Sequence, residues 1–209
     1  MLNKIKSVMI GHAVGDALGV PVEFASREEL DGNPVFDMEG FGTYPYPAGT
    51  WSDDTSMSLA ALDSLVKGSI DWEEIMLNFV KWLNDGKFTP SGKAFDVGCT
   101  CLNAINGYFS NGTKAIESGG ADEHSNGNGS LMRIHPFVLY EYIKGTRDID
   151  VIHTASALTH AHERSKMACG IYAFVLWELL DSPSKASIIK GLNKAKRFYN
   201  GYDEMKSYY

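Results

Sequence analysis

Scarcity sets the first bounds on this chain. Its cysteines number only three, Cys99, Cys101 and Cys169, an odd count without metal-type spacing. That argues against a disulfide framework or a structural zinc site and fits thiols kept reduced in a cytoplasm as small apolar side chains. Positive charge is in deficit, with 19 Lys and Arg against 26 Asp and Glu, and a net charge of −7 argues against non-specific nucleic-acid binding. No apolar run approaches the roughly 18 residues of a membrane span, so no membrane partner is expected. The N-terminal stretch is interrupted by His12, Gly15 and Asp16 and makes a poor signal-peptide core. Internal repeats, linkers and charge blocks are absent from the sequence, and convincing strand alternation appears nowhere.

Helical periodicity fills the chain instead. Ile5, Val8, Met9 and Ala13 form one apolar face; Leu59, Leu62, Leu65 and Val66 form another. Ile75, Phe79, Trp82 and Leu83 continue the pattern behind Asp71, a plausible cap. Further helices are expected over 95–108, 131–142, 148–158, 164–180 and 184–199. The expected fold is all-α, a single compact multi-helix domain over residues 1–209, whose 44% hydrophobic content can fill one core. The polar, glycine-rich stretches around 43–49 and 118–130 are long for connections in a compact domain, which points to function or disorder.

The chemistry lies at the helix starts and in those loops. In Trp51-Ser52-Asp53-Asp54-Thr55, two adjacent carboxylates open a helix. Capping needs only one acid, and the second adds like-charge repulsion that a cation would relieve. The flanking hydroxyls of Ser52 and Thr55 add hard oxygen donors suited to Mg²⁺ or Mn²⁺. Gly15-Asp16-Ala17-Leu18-Gly19 and Glu23 end the first helix, where an acid opposes the helix dipole; a plain helix stop competes with a metal or acid/base role. Asn126-Gly127-Asn128-Gly129-Ser130 precedes an expected helix at Leu131-Met132-Arg133, an arrangement open to a phosphate or an ordinary turn. His160 and His162 stand two apart, a poor chelating spacing on a helix, so a single histidine against a ligand is the better reading. Asp96 opens another expected helix, where capping is the local alternative to a chemical role.

Together these segments resemble the ADP-ribosylglycohydrolase family, all-α hydrolases with a binuclear metal centre that include the glycohydrolase of ADP-ribosylated dinitrogenase reductase. The resemblance rests on Gly15–Gly19, Trp51–Thr55, Asp96-Val97-Gly98, Gly127–Arg133 and Leu158-Thr159-His160, in the family's order. It implies metal-dependent cleavage of the glycosidic bond of an ADP-ribosylated protein or small ADP-ribose conjugate. Ser52, Asp53 and Asp54 would ligate two Mg²⁺ or Mn²⁺ ions, with Ser52 replacing the usual threonine. Glu23 matches a movable acid beside the metals, and Asp96 matches a candidate general base. Gly127, Asn128, Gly129, Ser130, Leu131, Met132 and Arg133 would hold the diphosphate, with His160 near the distal ribose or the phosphates.

One departure stands out. The family's second metal motif, Asp-x-Asp-Thr near the C-terminus, has no counterpart after Asp54, and Asp203 and Glu204 are spaced differently. The expectation is therefore a chain incomplete at its C-terminus, with a second metal site short of ligands and apolar surface open to a homodimer or a complementary segment. A non-catalytic ADP-ribose-binding module and an inactive fragment needing that segment are the alternatives to the enzyme.

Overall fold

A computed structural model describes residues 1–201; Asp203 and Glu204 lie outside the described residues. Regular structure among them is helical: α1 (Leu2–Gly19), α2 (Arg27–Gly32), α3 (Asp53–Leu65), α4 (Trp72–Asp85), α5 (Cys99–Asn111), α6 (His135–Lys144), α7 (Ile149–Ala157), α8 (Glu163–Asp181) and α9 (Lys185–Tyr199). One isolated bridge, Gly120 to His160, ties the 112–130 segment to the end of α7. No helix among these residues is long and apolar enough to cross a membrane.

The centre of the fold is α3, which packs on α1, α4 and α6. Its inward face combines Met57, Ala60, Ala61 and Leu65 with the small Ser56, Ser58 and Ser64, which lets neighbouring helices approach closely. Ile75, Phe79 and Trp82 of α4, Phe137 and Val138 of α6, and Trp177 of α8 close the core. Burying an aliphatic or phenyl side chain of this size contributes about 1.5–3 kcal/mol. The Trp177 indole also satisfies its N–H by donating to the Val138 carbonyl at 2.9 Å. On the far side α9 lies along α8, where the buried Glu178 carboxylate is paired with Lys190 at 2.6 Å and with Lys194.

Two expectations need correction, and one element is additional. The helix expected from residue 95 starts at Cys99, because Asp96 takes a left-handed backbone (φ +56°) that no α-helix accommodates. The helix expected over 131–142 divides into a 3₁₀ turn, Leu131–Arg133, and α6, with Pro136 in the first turn of α6. A short helix that hydrophobic periodicity does not reveal, α2, forms on a capping box: Ser26 Oγ accepts from the Glu29 N–H, and the Glu29 carboxylate accepts from the Ser26 N–H.

Candidate active site

Asp16 explains how the acidic cluster is assembled. It sits in the last turn of α1, unfavourable ground for a carboxylate, yet its side chain serves the opposite pole of another helix. Asp16 accepts from the Ser52 N–H at 3.0 Å, the Ser52 hydroxyl at 2.8 Å and the Thr55 N–H at 3.0 Å. Ser52 is itself the N-cap of α3. Capping of α3 therefore falls to Asp16 and Ser52, and Asp53 and Asp54 are released from the structural duty that a helix start ordinarily gives an acid.

Those two carboxylates line a cavity of about 280 Å³ together with Glu23 and Asp96. Asp53 is only 6% exposed, and burial, reinforced by Asp54 and Asp96, pushes its carboxyl up to about 8. Burial and Asp16 raise Asp54 as well. Glu23 rises to about 7, through burial first and then its bonded neighbour Asp96. No lysine or arginine is among the cavity's lining residues. Hard carboxyl oxygens gathered in this way, whose retained protons a divalent cation would displace, fit that cation in donor chemistry. Among the described residues, however, no three His, Cys, Asp or Glu side chains already converge as a ligand set.

The loop over 43–49 positions Glu23 and Asp96. Thr43 donates its hydroxyl to the Glu23 carbonyl at 2.6 Å, and the Tyr44 hydroxyl donates to Asp96 Oδ1 at 2.9 Å. Gly42 makes the approach feasible, since a Cβ there would lie 1.9 Å from the Pro21 carbonyl oxygen. Phe95 packs between Tyr44 and Tyr46, at centroid distances of 5.0 and 4.5 Å. Tyr44 carries no local motif, and only its partner 52 residues away reveals its place.

The same cavity is lined by Gly127, Asn128, Gly129, Met132 and His160, and by Gly98, Cys99, Thr100 and Cys101. The last four open α5, whose N-cap Gly98 supplies no side-chain cap. The N–H groups of that first turn are thus the natural anion donors of the cavity. The 3₁₀ turn after the glycine loop is too short to play that part. Three loop residues also face elsewhere. Ser130 is fully buried, accepting from the Ser156 hydroxyl at 2.8 Å. Arg133 is 0% exposed and donates to the Ala155 carbonyl and the Thr159 hydroxyl. Leu131 packs against the core. The structure does not bring the side chains of these three, expected to hold the diphosphate, into the cavity lining, and Arg133 is an interior residue over the Phe79 ring. His162 turns away to cap α8 through Nδ1.

The raised Asp53 carboxyl has a measurable consequence. Between its ordinary value of 3.8 and about 8, the folded protein keeps a proton that the unfolded chain has released. Stability from this group is complete below that interval and declines as pH rises through it. The melting temperature in a chelator should therefore fall between about pH 5 and about pH 8, by an amount corresponding to a few kcal/mol at most. Asp53→Asn should flatten the profile; identical profiles for the two proteins would refute the assignment of the shift to Asp53.

Sequence and helix arrangement together match a known family. The family pattern of ADP-ribosylglycohydrolase matches residues 1–208, and the chain belongs to that family. It is 30% identical over 185 residues to an ADP-ribosylarginine hydrolase, Tri1, of Serratia proteamaculans, covering 88% of this chain and 49% of that protein. It is 35% identical over 164 residues to the ADP-ribosyl-[dinitrogen reductase] glycohydrolase of Rhodospirillum rubrum, covering 77% and 52%. A solved ADP-ribosylglycohydrolase-related protein complex superposes with a TM-score of 0.75 at 28% identity, over 96% of this chain and 62% of that one. The chain thus spans about half the length of the two named relatives.

Proposed function

We propose that the cavity binds the ADP-ribosyl group and cleaves its glycosidic bond, releasing ADP-ribose from an ADP-ribosylated protein or small conjugate. The observation that carries this reading is the polarity of the cavity. Four carboxyl groups share the cavity with an uncapped helix start and a glycine loop, so one space offers groups suited to a cation and sugar hydroxyls and groups suited to a diphosphate. The relatives named for ADP-ribosylarginine and for ADP-ribosylated dinitrogen reductase support the substrate class.

Asp53 and Asp54, with Ser52, are the residues that would hold Mg²⁺ or Mn²⁺. The Ser52 hydroxyl donates its hydrogen to Asp16 and accepts from the Asp54 N–H, which leaves one oxygen lone pair for a metal. Bound there, the ion would polarise ribose hydroxyls and acidify a water. Asp96, held by the Tyr44 hydroxyl through Oδ1 and beside Glu23, is the carboxyl suited to receive the proton of the attacking water. Glu23, titrating near neutrality, is suited to deliver a proton to the leaving nitrogen or oxygen. A non-catalytic ADP-ribose-binding module is the second reading, favoured by the lack of a ready three-ligand set among the described residues.

Release of ADP-ribose from an arginine-ADP-ribosylated peptide with Mg²⁺, followed by mass spectrometry alongside calorimetric ADP-ribose binding, separates these readings. The enzyme binds and releases; the module only binds; a protein that does neither overturns both. Gly129→Val should weaken ADP-ribose binding by at least about tenfold. Its Cβ would fall 2.7 Å from His160 Cε1 and 2.9 Å from Cys101 Sγ, intruding on the cavity wall.

A further inference from the structure

We infer that Arg133 and Thr159 lock His160 in its Nε2–H tautomer, so that the ring offers a neutral N–H donor to an oxygen of the bound ligand. The identity of that ligand rests on the ADP-ribosyl reading above; the tautomer does not. Thr159 is on this account a positioning residue that acts through His160.

The lock follows from counting hydrogens along a buried chain. The Arg133 guanidinium has only donors, and its Nη2 lies 2.7 Å from Thr159 Oγ1. Thr159 must accept from it, which leaves the single hydroxyl hydrogen free to be donated. His160 Nδ1 lies 2.9 Å from the same oxygen. The competing acceptor for that hydrogen is the Cys101 sulfur, which is a weak one. The hydrogen therefore goes to Nδ1, and the proton of a neutral imidazole then resides on Nε2. Neutrality follows from burial and from the Arg133 charge, which hold His160 down to about 4. That charge also favours a lone pair on the ring edge nearest it and the N–H on the far edge.

The far edge is where a ligand would sit. His160 lines the cavity, and its ring rests on the glycine loop, with Nε2 3.6 Å from the place a Cβ would occupy at Gly127. A neutral donor in this position serves a ribose hydroxyl or a phosphate oxygen, and its strength does not vary across the physiological pH range. It also accounts for a fully buried arginine whose guanidinium never reaches the cavity: the charge acts one hydroxyl and one ring away.

Long-range ¹⁵N–¹H correlation of the histidine rings tests this directly. For wild type, His160 Nε2 should show a protonated shift and Nδ1 an unprotonated one. Thr159→Val should give a mixed or reversed pattern and weaken ADP-ribose binding by about tenfold, the scale of one lost hydrogen bond. Thr159→Ser should restore both readouts, which a packing role alone would not produce. An Nδ1–H tautomer in wild type overturns the inference, whatever the variants do. An unchanged tautomer in well-folded Thr159→Val overturns it too. Measuring ADP beside ADP-ribose distinguishes the acceptor: loss for both ligands assigns it to the ADP part, and loss for ADP-ribose alone assigns it to the distal ribose. A wild type with the Nε2–H tautomer that binds neither ligand upholds the lock and overturns the ADP-ribosyl reading.

Discussion

Replacing Asp53 and Asp54 together with alanine should bring Mg²⁺ or Mn²⁺ binding to the calorimetric baseline. Hydrolysis should fall by about two orders of magnitude or more, the scale of losing a preorganised charge-stabilising group. The fold should survive. Asp16 and Ser52, not the substituted pair, cap α3, so the helix keeps its N-terminal partners. Removing a buried carboxyl and its like-charged neighbour should even raise the melting temperature of the metal-free protein, since both are pushed up by burial and by nearby acids. Circular dichroism and calorimetry on the same samples separate these effects. Metal binding equal to wild type in a folded double variant would remove the metal from this position altogether.

What could be read from the sequence follows the range of the interactions involved. Helices held by a local apolar stripe, such as α4 and α9, declare themselves through periodicity, with Asp71 and Ser184 as their caps. The paired acids at 53 and 54 stand out because two carboxylates at a helix start exceed what capping needs. Their availability, in contrast, depends on Asp16, which lies 36 residues from Ser52 in the chain and offers no spacing signal. The glycine loop at 127–129 is legible in the sequence, whereas the true helix start beside it is not. That start belongs to α5, displaced past Asp96 by one left-handed residue that no propensity scale anticipates. Arg133 misled for a related reason: an arginine beside a glycine loop reads as a phosphate ligand until its burial under Phe79 is known. Tyr44 was illegible, because its role exists only through a hydrogen bond to Asp96.

Asp96→Asn should lower turnover by about a hundredfold to ten-thousandfold, the usual span for loss of a general base. ADP-ribose affinity should change little, since the variant keeps the shape of the side chain and its acceptor for the Tyr44 hydroxyl. The left-handed backbone at Asp96 strengthens this expectation. Holding that conformation costs on the order of 1 kcal/mol, and Asp and Asn bear it better than other side chains. Asparagine therefore preserves the geometry while removing the carboxylate that takes the proton. Tyr44→Phe supplies the intermediate case. It leaves the carboxylate but frees it from the hydroxyl 2.9 Å away, so the catalytic rate should drop by about tenfold while KM holds. The two variants order the possibilities. A large loss in Asp96→Asn with a smaller one in Tyr44→Phe matches a base held in place by Tyr44. Turnover by Asp96→Asn within a few-fold of wild type would shift the proton transfer to Glu23, the other carboxyl of that wall, whose titration near 7 suits either direction.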